Sequence, residues 1–525
     1  NGDGTTDDTK AIQAAIDDAA ADGGGTVVVA SGEYEIRPIE LFDGVTLHLE
    51  SGAALRASTD PDDYQQGEYP LAGLIRAKDA EDVAITGRGV IDGRGMEFLD
   101  TDARRSLGPD SLLEPTRQGL DFSHPRHGTE DGPADDPDER PDRMFVIYNC
   151  RDVRVEGVKI VDSPFWTLHL ISCDDVHVSD VTIDNDRLIP NSDGIIPDMS
   201  RNVTITGCHV RAGDDAIVLK ATGYGDHGRP TENIVVGDCT LVSRSSAIKF
   251  GSSTHYDIRD CVFNNLVIYD SNRALGIQHR DAGVVQDVLF SNVVIHTRLH
   301  TGNWWGKAEP IWVTSLPRRD GDEVGGVRDV TFRNIESDVE GGAIIYSADE
   351  SFVEDVTLDG VDIRLTDAEY ADAVGGNFDF RIDRREENGQ RLFEHDIPGV
   401  YVENATDVVL SDVSVAWGDD AADDGAAEGD DALPGYYSNA IEAESVSELT
   451  IDGLDGRGAH DSPVISLSEC RAVTIQDSRA TEGAAAFLER EDGSDYRRFV
   501  GNDLAESETA ADAFEAFAAR SGNVF

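Results

Sequence analysis

Asp193, Asp214 and Asp215 are the residues whose type and spacing could do chemistry together. They lie in NSDGIIPD (Asn191–Asp198) and AGDDAIVLK (Ala212–Lys220). Written as Asp193-Gly-Ile-Ile over Asp215-Ala-Ile-Val, the two segments align as neighbouring rungs of a repeating structure. Carboxylates crowded together without a metal repel, which raises the pKa of at least one; that suits a general acid working opposite a general base. A chain with 103 Asp and Glu also produces such neighbours as ordinary surface acids. Residues 214 and 215 on one strand would face opposite sides, so a bulge at Gly213 is expected to expose both.

Cations are the second feature. Only six residues are Lys against 38 Arg, so each Lys is informative. Extending the alignment with Ser246-Ala-Ile-Lys and Arg273-Ala-Leu-Gly puts Lys249 one rung from Gly276, and Lys220 in the column of Gln278. His169 falls in the column of Lys249, while His279 and Arg280 follow Gln278. Trp304 and Trp305 offer faces for sugar stacking, and Lys307 adds a cation. Together His169, Lys220, Lys249, Arg273, Gln278, His279, Arg280, Trp304, Trp305 and Lys307 form a candidate binding face for an anionic substrate. Each also has a structural reading: ion pairs for the lysines, packing for the tryptophans, and a partnership with Glu309 for Arg273.

The element that must position these residues is a repeat. Asp or Asn followed by alternating apolar residues recurs as DVRVEGVKI from Asp152, DVHVSDVTI from Asp175, NVTITGCHV from Asn202 and NIVVGDCTL from Asn233. It also begins at Asp82, Asp260, Asp287, Asp329, Asp355 and Asp407, with weaker copies at Glu448 and Ala472. Spacings of 23 to 31 residues between Asp152 and Asp287, with period-2 patterning, fit one coil of a parallel β-helix. Leucine-rich repeats would show Leu-x-x-Leu-x-Leu, and propeller blades need about 40 residues. Cys208 and Cys239 occupy matching aliphatic positions of their coils, so the cysteines read as buried substitutes for Val or Leu. There is no CxxC or Cys/His cluster, so neither a metal nor a cofactor is expected.

The predicted fold is therefore all-β, a single-stranded right-handed parallel β-helix read as one domain over 1–525. Residues 1–30 form its cap, with a helix over Lys10–Ala21 capped by Thr6 or Asp7. Loops are expected at 94–142, 367–400 and 416–436, and a tail at 483–525 with a short helix over Glu506–Arg520. A net charge of −59 argues against nucleic acid as a partner. The acidic, Lys-poor balance fits adaptation to high salt. No apolar run is long enough to span a membrane. The chain opens at Asn1 without a signal-like segment, as either a cytoplasmic or a mature exported protein would; extracellular is the expectation.

The run Arg140–Val176, with NSDGIIPD and AGDDAIVLK, resembles glycoside hydrolase family 28, the polygalacturonases and their relatives. The resemblance covers roughly residues 1–300. It implies inverting hydrolysis of a pectin-like or other uronic-acid-containing polysaccharide, with Asp214 as general acid and Asp193 and Asp215 holding and deprotonating water. Two segments depart from the family pattern. Ser246 stands where the family carries the His of Gly-His-Gly, and Gly276-Ile277-Gln278 replaces Arg-Ile-Lys. Those departures leave a second class in view, a non-catalytic carbohydrate-binding or spike β-helix. A polysaccharide lyase fits less well, because on this fold it normally needs calcium and a basic catalyst.

Overall fold

Every full copy of the repeat phrase opens on a left-handed residue. Asp152, Asp175, Asn202, Asn233 and Asp260 have φ between 52° and 58°. Asp and Asn tolerate this conformation best among residues with a Cβ, which is why the phrase begins with them. The amides stack as well: Asn202 Nδ2 donates to Asp175 Oδ1 at 2.9 Å, and Asn233 Nδ2 to Asn202 Oδ1 at 3.0 Å. The weaker copies also begin left-handed, with Glu448 at φ 60° and Ala472 at φ 57°. The backbone turn is thus kept where the side-chain signal fades.

The computed structural model describes residues 1–98, 128–129, 132–133, 140–300, 306–319, 321–371, 375–376, 378, 395–418, 433–490 and 494–504. The expected helix at Glu506–Arg520 lies outside them, as do Trp304, Trp305 and most of the expected loops. The chain divides into two compact units, Asn1–Ser271 with Ala282–Val284 and Gly302–Trp305, and Asn272–Asp281 with Val285–Thr301 and Gly306–Phe525. Each is a right-handed parallel β-helix. No helix among the described residues is long and apolar enough to cross a membrane.

In the first unit, one sheet stacks the strands Gly73–Lys78, Arg143–Tyr148, Trp166–Ile171, Ile195–Asp198, Ile217–Ala221 and Ser246–Thr254 in parallel. The repeat phrases form the other, from Arg151–Glu156 through Asp174–Ser179 and Arg201–Thr206 to Thr231–Ser243. Inward residues stack in columns, such as Val153, Val176, Val203, Ile234 and Cys261. All are buried, each aliphatic contributing about 1.5–3 kcal/mol on burial. All six cysteines are buried free thiols, and Cys239 shares a register position with Leu266.

The helix Thr9–Ala21 buries Ile12 and Ile16. Its N-cap is Asp8, beyond the expected Thr6 or Asp7, and the Asp8 side chain makes no cap bond because it accepts from the Asn1 amino group and Gly2 N. Asp7 instead accepts from Thr9 N at 3.0 Å. The second unit stacks Arg273–His279, Ile311–Ser315, Ala343–Ser347, Val400–Glu403, Ile441–Glu444, Ile465–Ser468 and Leu488–Arg490 in the same parallel manner.

Candidate active site

The three carboxylates sit where one strand ends and the next begins. Ile195 pairs with Ile217, and Ile217 with Ile248. Extending the same ladder, Gly194 N donates to Asp215 O and Ala216 N to Ser246 O, so Asp193, Asp215 and Ser246 are successive rungs of one column. No bulge exists at Gly213. The strand His209–Ala212 ends before it, and Gly213 to Ala216 form a corner. Gly213 N donates to Ser192 Oγ at 3.0 Å, and a Cβ there would lie 2.4 Å from Ile189 O. Glycine is required by that close approach, and the corner brings Asp214 and Asp215 to one place. All three carboxylates are buried rather than displayed.

Their surroundings differ. Asp215 Oδ2 accepts from Lys249 Nζ at 2.9 Å, and Oδ1 from Ser245 Oγ at 2.9 Å and Ser246 N at 3.2 Å. Three donors hold it as an acceptor. Asp214 Oδ2 accepts from Asn191 Nδ2 at 3.3 Å, and Asn191 Oδ1 accepts from Arg140 Nη2 at 3.1 Å. Asp193 Oδ1 is buried with no hydrogen-bond partner, as is Ser246 Oγ. Burial first, and then the charge of Asp214, push the Asp193 carboxyl well above the ordinary carboxylate range, against the pull of Lys220 and Lys249.

Lys249, expected to meet a substrate carboxylate, is here paired with Asp215. His169, also expected at the substrate, is held by protein partners on both ring nitrogens. Arg143 Nε donates to its Nδ1 at 2.9 Å, and its Nε2 donates to Asp198 Oδ2 at 3.0 Å. Both ring nitrogens are occupied and the ring is fully buried. Desolvation, with Arg143 and Lys220 close by, pulls its pKa down to about 4 despite Asp198. Burial opposes ionisation of Asp198, but the bonds from His169 and from Thr222 outweigh it and hold that carboxyl below its usual range.

Lys220 Nζ donates to Gly251 O at 3.0 Å and lies 4.6 Å from the centre of the Trp166 ring. Arg143 Cζ lies 3.7 Å from the same ring centre. Arg140, Arg143, Trp166 and Tyr224 were not singled out in the sequence. Arg140 and Arg143 sit in the same Arg140–Val176 run that carries the family resemblance, within RPDRMF. Their place in that run was the available signal; their burial is visible only in the structure.

The remaining candidates belong to the second unit. Arg273 donates to both oxygens of Glu309, at 2.9 and 3.1 Å, and stacks 3.7 Å from the Trp312 ring centre. Its guanidinium is committed to that pair. Gln278 is buried with neither amide atom hydrogen-bonded. His279 Nδ1 pairs with Ser315 Oγ at 2.8 Å, and Arg280 Nη2 donates to Pro317 O at 3.0 Å. Lys307 is half-buried, and its backbone N donates to Glu309 Oε2 at 2.7 Å.

Residues 118–373 match glycosyl hydrolases family 28, and residues 1–59 match the rhamnogalacturonase A/epimerase, pectate lyase-like family. A probable polygalacturonase of Vitis vinifera is 28% identical over 335 residues, 59% of this chain and 62% of that protein. An endo-polygalacturonase of Pectobacterium carotovorum subsp. carotovorum is 24% identical over 372 residues, 67% of this chain and 83% of that one. The chain thus spans about three-fifths of the length of the grapevine relative. Among solved structures, the exopolygalacturonase of Thermotoga maritima superposes with a TM-score of 0.58 at 22% identity, covering 80% of this chain and 90% of that one. That likeness concerns the fold. Residues 118–373, just under half of the chain, thus resemble glycosyl hydrolases family 28, at low identity to the relatives above.

Proposed function

We propose that the protein is an inverting glycoside hydrolase acting on a pectin-like or other uronic-acid-containing polysaccharide outside the cell. The observation that carries this reading is the unequal environment of three buried carboxylates. Asp215, held by Lys249, Ser245 and Ser246, is fixed in place as an acceptor. Asp193 keeps one oxygen without a protein partner, beside Asp215 in the same column. A water between them would be oriented by both and deprotonated as it attacks the anomeric carbon.

Burial and the charge of Asp214 raise the Asp193 carboxyl, so that pair holds a proton more readily than separate carboxylates would. With substrate bound, the proton resides on Asp214, which delivers it to the glycosidic oxygen as the bond breaks. Asn191, tied to Arg140, orients that carboxyl. Attack from the face opposite the leaving group inverts the anomeric centre. The family's His and Arg-x-Lys are absent, but neither contributes a proton in this scheme.

Reducing-sugar release from polygalacturonate, rhamnogalacturonan and other acidic glycans, in low and high salt, tests the reading. Release from at least one, abolished in Asp214→Asn, is expected. Binding of such glycans without release would make the protein a carbohydrate-binding β-helix instead.

A further inference from the structure

Among the described residues, the first unit has three buried cations without a carboxylate in salt-bridge distance, in a chain where Asp and Glu outnumber Lys and Arg 103 to 44. Arg140 is spent on carbonyl and amide oxygens, Pro164 O, Pro190 O and Asn191 Oδ1. Arg143 donates to His169 Nδ1 and Asp142 O, and Lys220 to Gly251 O. Among the described residues, none of the three has a carboxylate within salt-bridge distance; Lys249 does. Buried charges are ordinarily paired, because an unpaired one costs several kcal/mol in lost hydration. In so acidic a protein, three such cations without a described acidic partner mark a place suited to an anion.

Two of these cations converge on one ring. Arg143 and Lys220 both lie against Trp166, at 3.7 and 4.6 Å from its centre. The ring's negative face offsets part of their charge but does not neutralise it. Tyr224 borders the same place, 5.9 Å from Arg143 Cζ, and is exposed. Lys220 has hydrogen-bond donors beyond the one given to Gly251. Arg143 is held in orientation through Nε by His169, which Asp198 fixes in turn. Neutral His169 adds no competing charge, and it accepts from Arg143 only in that state. The pocket also adjoins the catalytic acids: Asp193 is the charge that Lys220 feels most.

We propose that Arg143 and Lys220, on the Trp166 ring, form the pocket that recognises the carboxylate of the uronic acid unit bound beside Asp193. This rests on the hydrolase reading above and assigns its acidic-substrate selectivity to the early coils. Lys249 then serves the catalytic carboxylate, and the substrate supplies the counter-charge that the protein omits.

The test is binding, measured apart from hydrolysis. The Asp214→Asn chain is titrated calorimetrically with D-galacturonate and with D-galactose, which differ only in the C6 carboxylate. Galacturonate should bind more tightly. Lys220→Met should cut that preference about 10- to 100-fold, the scale of one charged hydrogen bond, and leave galactose unchanged. Its melting temperature should not fall, since an unpaired buried charge has been removed. Arg143→Gln should act in the same direction. If that variant fails to fold, the Lys220→Met result decides. Equal affinity for the two sugars, or equal loss of both on substitution, overturns the pocket, as does a lower melting temperature with the preference intact. A lasting galacturonate preference in a protein that hydrolyses no acidic glycan would sink the hydrolase reading and keep the pocket. Pectin hydrolysis without any preference would do the reverse.

Discussion

Lys249 Nζ lies 2.9 Å from Asp215 Oδ2, with both side chains buried. The pair stands on adjacent coils of the first unit, and Lys249 occupies the coil that lacks the family's His. A cation there fixes the neighbouring Asp215 carboxylate as an acceptor. Removing one member of a buried pair strands the other, which typically costs about 3–5 kcal/mol. Lys249→Met should therefore lower stability in denaturant titrations by about that amount and depress turnover on acidic and neutral glycans alike. The double variant Lys249→Met/Asp215→Leu should recover most of the stability while staying inactive. Selective loss on acidic glycans alone would return Lys249 to the role of a substrate ligand.

Asp214→Asn should reduce turnover by about 10²–10⁴-fold or more, the typical contribution of a general acid, with the β-dominated circular dichroism spectrum unchanged. Proton NMR of the first product should show the inverted anomer. A retained anomer would overturn the assignment of Asp193 and Asp215 to water.

His169 should remain neutral well into the acid range. An unfolded histidine binds its proton near pH 6.5, whereas the folded ring does so at about 4. Between those values the unfolded chain binds more protons, so stability falls as pH drops from about 6.5 towards 4. This one group should contribute roughly 3 kcal/mol across the window. Nitrogen NMR should report the Nε2–H tautomer at pH 5.5, since Nδ1 accepts from Arg143. A protonated ring at that pH would show that the Arg143–His169–Asp198 chain is not assembled this way.

Asp193 has the opposite sign. Its folded carboxyl holds a proton to higher pH than the unfolded one, so its contribution falls as pH rises above the unfolded value of about 3.9. Asp193→Asn should melt higher than wild type at neutral pH, and that gap should close on acidification. An equal melting temperature at every pH would mean that burial and Asp214 do not penalise the Asp193 carboxylate.

Salt should assist an anionic substrate. With a net charge of −59, the protein repels a polyuronate at long range, and salt screens that repulsion. Measured kcat/KM on polygalacturonate should rise with ionic strength up to the molar range, while a neutral glycan shows a flatter response. A steep fall with salt would indicate that local cations already dominate the approach.

The coil architecture was legible in the chain because it is local. Asp152, Asp175 and Asn202 mark left-handed turns that few other side chains tolerate, and period-2 apolar runs leave one face to bury. Column membership was legible too: Asp193, Asp215 and Ser246 stack as alternation alone requires. What only the tertiary structure decided is which cation meets which acid. Lys249 and Lys220 look alike in sequence, yet one reaches Asp215 and the other ends on Gly251 O and the Trp166 ring. A flexible lysine stem reaches any of several neighbouring groups within a few ångströms, so spacing cannot choose among them. Arg140 and Arg143 were passed over for the same reason, since burial and missing counter-charges are properties of packing between coils. Gly213 shows the limit from the backbone side: a bulge and a corner both call for glycine, and only the approach of Ile189 O selects the corner.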